Sequence, residues 1–117
     1  MKRNVVKEKS FLFALDVIQI YKKLSYEKKE FVMSKQLLRC GTSIGANIWE
    51  SECAQSKADF VSKLSIALKE ANETDYWFEL LYISGFINHE DFKNIKPKIS
   101  EQLKLLTSII NTSKSSY

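Results

Sequence analysis

Apolar residues recur at intervals of three and four along most of the chain, the spacing that places side chains on one side of an α-helix. The pattern predicts a first helix at about residues 9–24 and a second at about residues 27–54. It predicts a third at about residues 57–84 and a fourth at about residues 88–112. Because the connections are short, we expect an all-α fold: a single domain over residues 1–117, built as an antiparallel up-down-up-down four-helix bundle.

The first predicted helix carries more apolar surface than one neighbouring core requires. Phe11, Leu15 and Ile18 lie on one side of the helical wheel, and Phe13 and Val17 lie beside them. The resulting apolar arc is about 200° wide, twice the stripe of an ordinary surface helix. We therefore expect a second contact surface on this helix, used by another subunit.

Local signals mark several helix ends. Ser56 is a candidate N-cap of the third helix, with Asp59 placed to complete a capping box. Gly85 is a candidate C′ residue at the end of the same helix. Asn88 is a candidate N-cap of the fourth helix, with Asp91 three residues later.

Three residues disturb the helical pattern from within. Pro97 lacks an amide donor, so it predicts either a kink or the point where the main part of the fourth helix begins. Gly41 and Gly45 each cost about 1 kcal/mol of helix propensity relative to alanine. With Ala46 alongside, they leave a strip almost without side chains, which predicts close packing against the first or third helix, or against another subunit.

Composition agrees with a helical globular protein. The chain has only three glycines and one proline, far fewer turn residues than a β-sandwich of this length needs. No apolar run reaches the roughly 18 residues needed to cross a bilayer. The basic start leads to no small-residue cleavage site. We therefore expect a cytoplasmic protein with no membrane association.

The charge is unevenly distributed. Residues 1–40 hold ten lysines and arginines against four acids, whereas residues 41–117 hold eight lysines against ten acids. A basic half can bind nucleic-acid phosphates, meet an acidic surface on another copy, or simply be solvated. No aromatic–basic interleaving of the RNP type appears, so any binding should be weakly selective and salt-sensitive. The candidate nucleic-acid-binding residues are Lys2, Arg3, Lys7, Lys9, Lys22, Lys23, Lys28, Lys29 and Lys35.

Polar residues at helical spacing form a second candidate set. The second helix carries Arg39, Ser43, Asn47 and Glu50 on one face, and the third carries Glu70, Glu73 and Glu79. We interpret them as a structural network that pairs across helices or subunits, because an unpaired buried charge costs several kcal/mol. Paired carboxylates can also serve acid–base chemistry or a di-iron centre.

The sequence offers little else for chemistry. A di-iron bundle uses Glu-x-x-His motifs, and the chain has none. Cys40, Cys53 and His89 are too few and too scattered for a structural zinc site. With no nucleophile–base pair and no phosphate loop, we expect no catalytic residue, no metal, no cofactor and no enzymatic activity.

Two motifs make the sequence recognisable. They are L-R-x-G-T-S-I-G-A-N-I-x-E in the second helix and F-x-x-K-L-S-I-A-L-K-E-A-x-E-T-x-Y-W in the third, within residues 37–81. Over residues 10–113 the chain closely resembles the bacterial four-helix-bundle family of 23S rRNA-intervening-sequence proteins. It departs from the common pattern at Cys40, where serine is frequent, and at Trp49, where alanine is frequent. A bulky Trp49 would sit at a subunit contact or cover the end of the bundle.

The resemblance implies properties that periodicity does not. It implies an up-down bundle that assembles as a ring-like homopentamer and has no established enzymatic activity. The family name comes from reading frames inside intervening sequences of ribosomal RNA genes. Related proteins are accessory subunits of diversity-generating retroelements, where a basic pentamer contacts reverse transcriptase and nucleic acid. RNA or DNA, and a protein such as a reverse transcriptase, are therefore the implied partners besides the chain itself.

Two functions remain open at this point. The first is a homo-oligomeric scaffold that binds RNA or DNA through its basic surface. The second is a structural or protein-interaction module whose basic surface serves only solubility or ring assembly.

Overall fold

The computed structural model describes residues 2–115, with side chains from Val5 onward. In this range the chain forms four α-helices and no strand. The helices are α1 (Lys2–Lys22), α2 (Met33–Ser51), α3 (Lys57–Ile83) and α4 (His89–Ser115), and a π-helical turn, Lys23–Glu27, extends α1. They pack as an elongated bundle of 47 × 22 × 19 Å, which confirms the predicted four-helix architecture.

Ion pairs between α1 and α4 show that the two helices run antiparallel. Lys9 pairs with Glu101 at 2.8 Å, and Lys23 pairs with Asp91 at 2.9 Å. Between these two pairs, the carboxylate of Asp16 accepts from the Lys98 ammonium at 2.8 Å. As residue numbers rise along α1, the numbers of the partner residues on α4 fall.

The core runs along the length of the bundle. Val6, Phe13 and Val17 supply the inward face of α1, and each is at most 1% exposed. The Phe13 ring meets the Phe78 ring of α3 edge-on, with ring centroids 6.1 Å apart. Such aromatic pairs add about 0.5–1.5 kcal/mol beyond the area that they bury.

Helix α1 begins at Lys2 rather than near residue 9 as predicted. Val6 and Ser10 are both 1% exposed and continue the inward face by two further turns. In the sequence, Val5 and Val6 are adjacent and stand among four basic residues, so they show no helical spacing.

Helix α2 begins at Met33, not near residue 27. Lys29 adopts φ 55°, a left-handed conformation that stops the preceding π-helical turn. The Glu30 carboxylate then accepts hydrogen bonds from the backbone N–H groups of residues 32–34, at 3.1, 3.1 and 2.7 Å. A carboxylate at this position satisfies free amides and complements the helix dipole.

Helix α2 also ends at Ser51, earlier than the predicted end at residue 54. The amides of Glu52, Cys53 and Ala54 bond to carbonyls three residues before them, so the chain tightens and leaves the α-helix.

The predicted N-caps of α3 and α4 are confirmed. Ser56 Oγ accepts from the Asp59 amide at 3.0 Å, and Asn88 Oδ1 accepts from the Asp91 amide at 2.7 Å. The Asp59 carboxylate accepts from the Gln55 amide at 3.2 Å, one residue before the cap.

The predicted C′ glycine is also confirmed. Gly85 has φ 88°, and its amide bonds to the Tyr82 carbonyl at 3.1 Å. The Phe86 amide bonds to the Leu81 carbonyl at 2.9 Å, so the two bonds form the Schellman pattern that closes a helix. Helix α3 therefore ends at Ile83, within one residue of the prediction.

Helix α4 continues through Pro97. The alternative that Pro97 marks the start of the main segment is wrong, because the helix begins at His89. Pro97 and Lys93 are both exposed, so water can reach the Lys93 carbonyl, which lacks its usual amide partner. The helix also includes residues 113–115, beyond the predicted end near residue 112.

The two α2 glycines lie against α1. A Cβ added to Gly41 would stand 2.8 Å from both methyl groups of Val17, closer than van der Waals contact permits. A Cβ added to Gly45 would stand 3.4 Å from the oxygens of Ser10, an ordinary contact. Ala46 is exposed and is not part of this contact.

We predict opposite outcomes for alanine at the two glycines. Gly41→Ala should lower the free energy of unfolding by about 1–3 kcal/mol, because Val17 is buried, β-branched and unable to move aside. Gly45→Ala should leave it unchanged or raise it by up to about 1 kcal/mol through helix propensity. Denaturant unfolding at a fixed protein concentration measures both.

The control is the same Gly41→Ala change in a Val17→Ala background. There the two methyl groups at 2.8 Å are gone and only the Cβ of residue 17 remains nearby, at 3.3 Å, so the penalty should become much smaller. Equal stability of Gly41→Ala and Gly45→Ala in the wild-type background would contradict a close approach at Gly41.

Candidate functional site

The seven predicted nucleic-acid-binding residues whose side chains the structure describes do not form one patch. Lys7 pairs with Glu52 at 2.9 Å, while Lys9 and Lys23 form the pairs with α4 described above. The positive charges of these three lysines are therefore already balanced within the chain. The side chains of Lys2 and Arg3 lie outside the described residues.

Four of the predicted lysines have a different environment. Lys22, Lys28, Lys29 and Lys35 are exposed and form no ion pair with any side chain described from Val5 to Ser115. All four belong to residues 22–35, which we call the basic turn: the end of α1, the connection, and the start of α2. At about 1.5 Å per residue, Lys22 lies roughly 20 Å along α1 from Lys9.

The backbone of the basic turn is held from inside. Leu24 and Ser25 are 1% and 5% exposed, so the π-helical turn is anchored in the bundle. The Glu30 carboxylate is engaged by the first amides of α2. The two acids beside Lys28 and Lys29 are Glu27 and Glu30. Glu30 is therefore engaged at the start of α2, while the lysine side chains extend into solvent.

The sequence analysis missed two aromatic residues of the basic turn. Tyr26 is 66% exposed and Phe31 is 51% exposed, and they bracket Lys28 and Lys29. The order Y-E-K-K-E-F in residues 26–31 was the available signal. A search for RNP-type motifs does not detect it, because those motifs lie on strands.

The structure brings three members of the predicted polar network together. The Arg39 guanidinium of α2 donates to Glu70 at 2.8 Å and to both oxygens of Glu73 at 2.7 Å on α3. The Trp77 indole N–H also donates to Glu73, at 3.0 Å. The hydrogen bonds from Trp77 and Arg39 lower the pKa of Glu73, and the hydrogen bond to Glu73 raises the pKa of Arg39.

The other members of that set do not join this cluster. Ser43 Oγ donates to the Arg39 carbonyl, and the Asn47 amide donates to the Ser43 carbonyl, so both bond back to their own helix. Glu50 pairs with Lys63 at 3.2 Å.

Glu79 lies in a separate ion-pair group between α3 and α4. Lys96 pairs with Glu79 at 3.0 Å and with Asp75 at 2.6 Å. The predicted polar residues therefore fall into local pairs along the bundle, with one larger cluster at Arg39.

An apolar surface lies outside the core, where α1 meets α2. Phe11, Leu12, Leu15 and Trp49 are each about half exposed, and we call these four residues the α1–α2 apolar face. The Phe11 and Trp49 rings lie 6.4 Å apart between centroids, and the Lys7 ammonium lies 4.2 Å from the Trp49 ring. An open groove of about 420 Å³ lies here, lined by Lys7, Glu8, Phe11, Leu12 and Trp49.

Among the described residues no metal site forms, and the two cysteines differ in exposure. Within them, no group of three or more His, Cys, Asp or Glu side chains is placed to hold a metal ion. Cys40 is buried, and burial raises the pKa of its thiol to about 11, so the thiol stays protonated near neutral pH. Cys53 is exposed and free.

No helical stretch within residues 2–115 has both the length and the hydropathy to cross a bilayer.

The Arg39 cluster predicts a specific pH dependence. Glu73 binds a proton more weakly in the folded chain than at its ordinary pKa of 4.5, so the unfolded chain takes up more protons as pH falls. The stabilisation is complete above pH 4.5 and is lost as pH drops below it. Glu73→Gln should remove this part of the acid destabilisation, an effect below about 1 kcal/mol because the cluster is partly exposed.

Urea unfolding between pH 7 and pH 2.5 measures the effect. Trp77→Phe replaces the indole with a smaller aromatic ring that has no N–H donor, so it should give an intermediate pH dependence. An acid limb identical in wild type and Glu73→Gln would contradict the lowered pKa.

The comparisons with known proteins agree on one group. The family model described as 23S rRNA-intervening sequence protein matches residues 2–108. A solved structure of a protein of unknown function from the S23 ribosomal protein family of Bacteroides thetaiotaomicron is 59% identical, with a TM-score of 0.92. The match covers 95% of this chain and 99% of that chain. Comparison with curated proteins gives no match. The chain belongs to the 23S rRNA-intervening sequence protein family.

Proposed function

We propose that this protein is a non-enzymatic, homo-oligomeric four-helix-bundle protein of the cytoplasm that binds RNA or DNA through the phosphates. The observation that carries the proposal is the basic turn, where Lys22, Lys28, Lys29 and Lys35 extend into solvent without an ion-pair partner among the described residues. Unpaired lysine charges neutralise phosphates and release the counterions condensed on the nucleic acid. This release drives binding that does not depend on sequence.

Self-association would multiply these contacts. Each chain has a net charge of +4, and the homopentamer implied by the family resemblance would bring five basic turns together. Individually weak phosphate contacts gain strength when several act on one strand. The family name records the location of genes rather than a ligand, so the proposal rests on the lysines. A protein partner such as a reverse transcriptase stays a prediction of the resemblance.

Two exposed apolar surfaces support self-association. The α1–α2 apolar face is one, and exposed apolar side chains of α3 form the other. The latter are Ile66, Tyr76, Leu80 and Ile83. Because these side chains lie on different helices, one copy can offer the first surface while its neighbour offers the second. Repeated contacts of this kind close into a ring when the rotation between copies permits it.

We predict that a charge on the α1–α2 apolar face breaks the assembly. Wild-type protein should scatter light as a multiple of 13.6 kDa, and Leu15→Glu should reduce that mass toward the single chain. Thr107→Glu adds the same charge at an exposed position of α4 that belongs to neither apolar surface, and it should leave the mass unchanged. A monomeric wild type would contradict the oligomer, and an unchanged mass in Leu15→Glu would contradict this interface.

We predict salt-sensitive nucleic-acid binding that depends on the basic turn. At about 50 mM salt the wild type should bind labelled RNA or DNA, and the affinity should fall steeply with added salt. Lys28→Glu with Lys29→Glu should weaken binding by roughly tenfold or more, because two phosphate contacts become repulsive. Fluorescence anisotropy measures the change.

The matched control reverses two exposed lysines elsewhere, Lys69 on α3 and Lys104 on α4. It changes the net charge equally and should weaken binding much less. Equal losses in both double variants would show that only net charge matters. No binding by wild type at about 50 mM salt would overturn the proposal.

The second candidate function is a structural or protein-interaction module without a nucleic-acid role. The ion pairs of Lys7, Lys9 and Lys23 favour it, because they show lysines of the basic half serving structure. Light scattering on the Lys28→Glu, Lys29→Glu variant separates the two functions. Loss of assembly would assign these lysines to subunit contacts, whereas intact assembly with lost binding supports the scaffold.

A further inference from the structure

The basic turn carries two aromatic side chains that the core does not use. Tyr26 and Phe31 are 66% and 51% exposed, whereas Phe13 and Phe78 of the same bundle are at most 1% exposed. Both exposed rings lie within three residues of the Lys28–Lys29 pair. Apolar rings held in water beside unpaired positive charges form a surface with two kinds of binding group.

The turn presents these rings from a fixed backbone. Tyr26 directly follows the buried Leu24 and Ser25, so the segment before it is anchored. Phe31 directly follows Glu30, whose carboxylate is bound to the start of α2. Between them, Lys29 adopts a left-handed conformation that favours glycine, yet the position carries a lysine.

Spacing also places lysines beside each ring. Lys22 comes four residues before Tyr26 along the α1 extension, about one helical turn away. Lys35 comes four residues after Phe31, in the first turn of α2. Each aromatic ring therefore has a lysine four residues away in sequence on one side and the Lys28–Lys29 pair on the other.

This combination suits one state of nucleic acid. Aromatic side chains stack on any base whose face is free, while lysines follow the phosphates. In a duplex the base faces are covered by their neighbours, so only the lysines find partners. We infer that the basic turn binds single-stranded RNA or DNA in preference to duplex, with Tyr26 and Phe31 stacking on unpaired bases. The inference rests on the proposed function and names its substrate class.

The test compares single strands with a duplex of the same length. Anisotropy at about 50 mM salt would use labelled 20-nucleotide dT and rU strands and a 20-base-pair DNA duplex of mixed sequence. The decisive variant combines Tyr26→Leu and Phe31→Leu, which keeps apolar bulk but removes the stacking faces. It should bind the single strands roughly tenfold or more weakly and the duplex about as well as wild type.

The control variant is Phe60→Leu, which replaces a ring in the first turn of α3, at the opposite end of the bundle from the basic turn. It should leave all three affinities unchanged. The dT and rU arms show whether the 2′-hydroxyl matters, and equal affinity for both is the expected result, because stacking and phosphate contacts exist in either strand. Circular dichroism should show all leucine variants folded, since leucine keeps apolar bulk at each position.

The outcomes separate the inference from the proposed function. Failure of the wild type to bind any of the probes overturns both. Lysine-dependent binding with equal or tighter affinity for duplex, or unchanged by the leucine pair, overturns only the inference. A leucine pair that binds normally but has a lower molar mass by light scattering assigns the rings to a protein contact instead. Selective loss of single-strand binding supports the inference.

Discussion

The contact between the Val17 side chain and the bare backbone of Gly41 sets how closely α1 and α2 approach. No other residue type fits at position 41 without displacing a buried, branched side chain. That short separation is also consistent with Phe11 reaching the Trp49 ring and with Lys7 reaching both that ring and Glu52. The apolar face between the two helices, and hence the proposed subunit contact, therefore follows from a position where a side chain is missing.

The sequence predicts the fold best where local chemistry and packing agree. Helix α3 has a serine cap at its start and a left-handed glycine after its end, and both signals describe single residues that need no partner elsewhere. The predicted starts of α1 and α2 were wrong for different reasons. Around Val6 the inward face has one apolar residue among several charges, and before α2 the break depends on a lysine adopting a conformation typical of glycine.

The candidate sites were also only partly predictable from the sequence. Pairing of Arg39 with Glu70 and Glu73 was accessible from helical spacing, because neighbouring antiparallel helices bring such faces together. Which lysines stay unpaired was not accessible. Their state depends on whether a carboxylate from a distant helix, such as Glu101 or Asp91, lies within reach. The charge count alone made all the lysines look equivalent.

The ion pairs between α1 and α4 have a consequence for how the helices find their alignment. Along α1 the charges read positive, negative, positive at Lys9, Asp16 and Lys23, and α4 offers the opposite sign at each step. If α4 slid by seven residues, Asp16 would face Asp91 in one direction and Lys23 would face Lys98 in the other. Each exposed pair contributes only a few tenths of a kcal/mol, but either slide turns one attraction into repulsion and removes the other two. The alternation of charge along α1 therefore adds little to stability, but it disfavours an alignment in which α4 is displaced by about two helical turns.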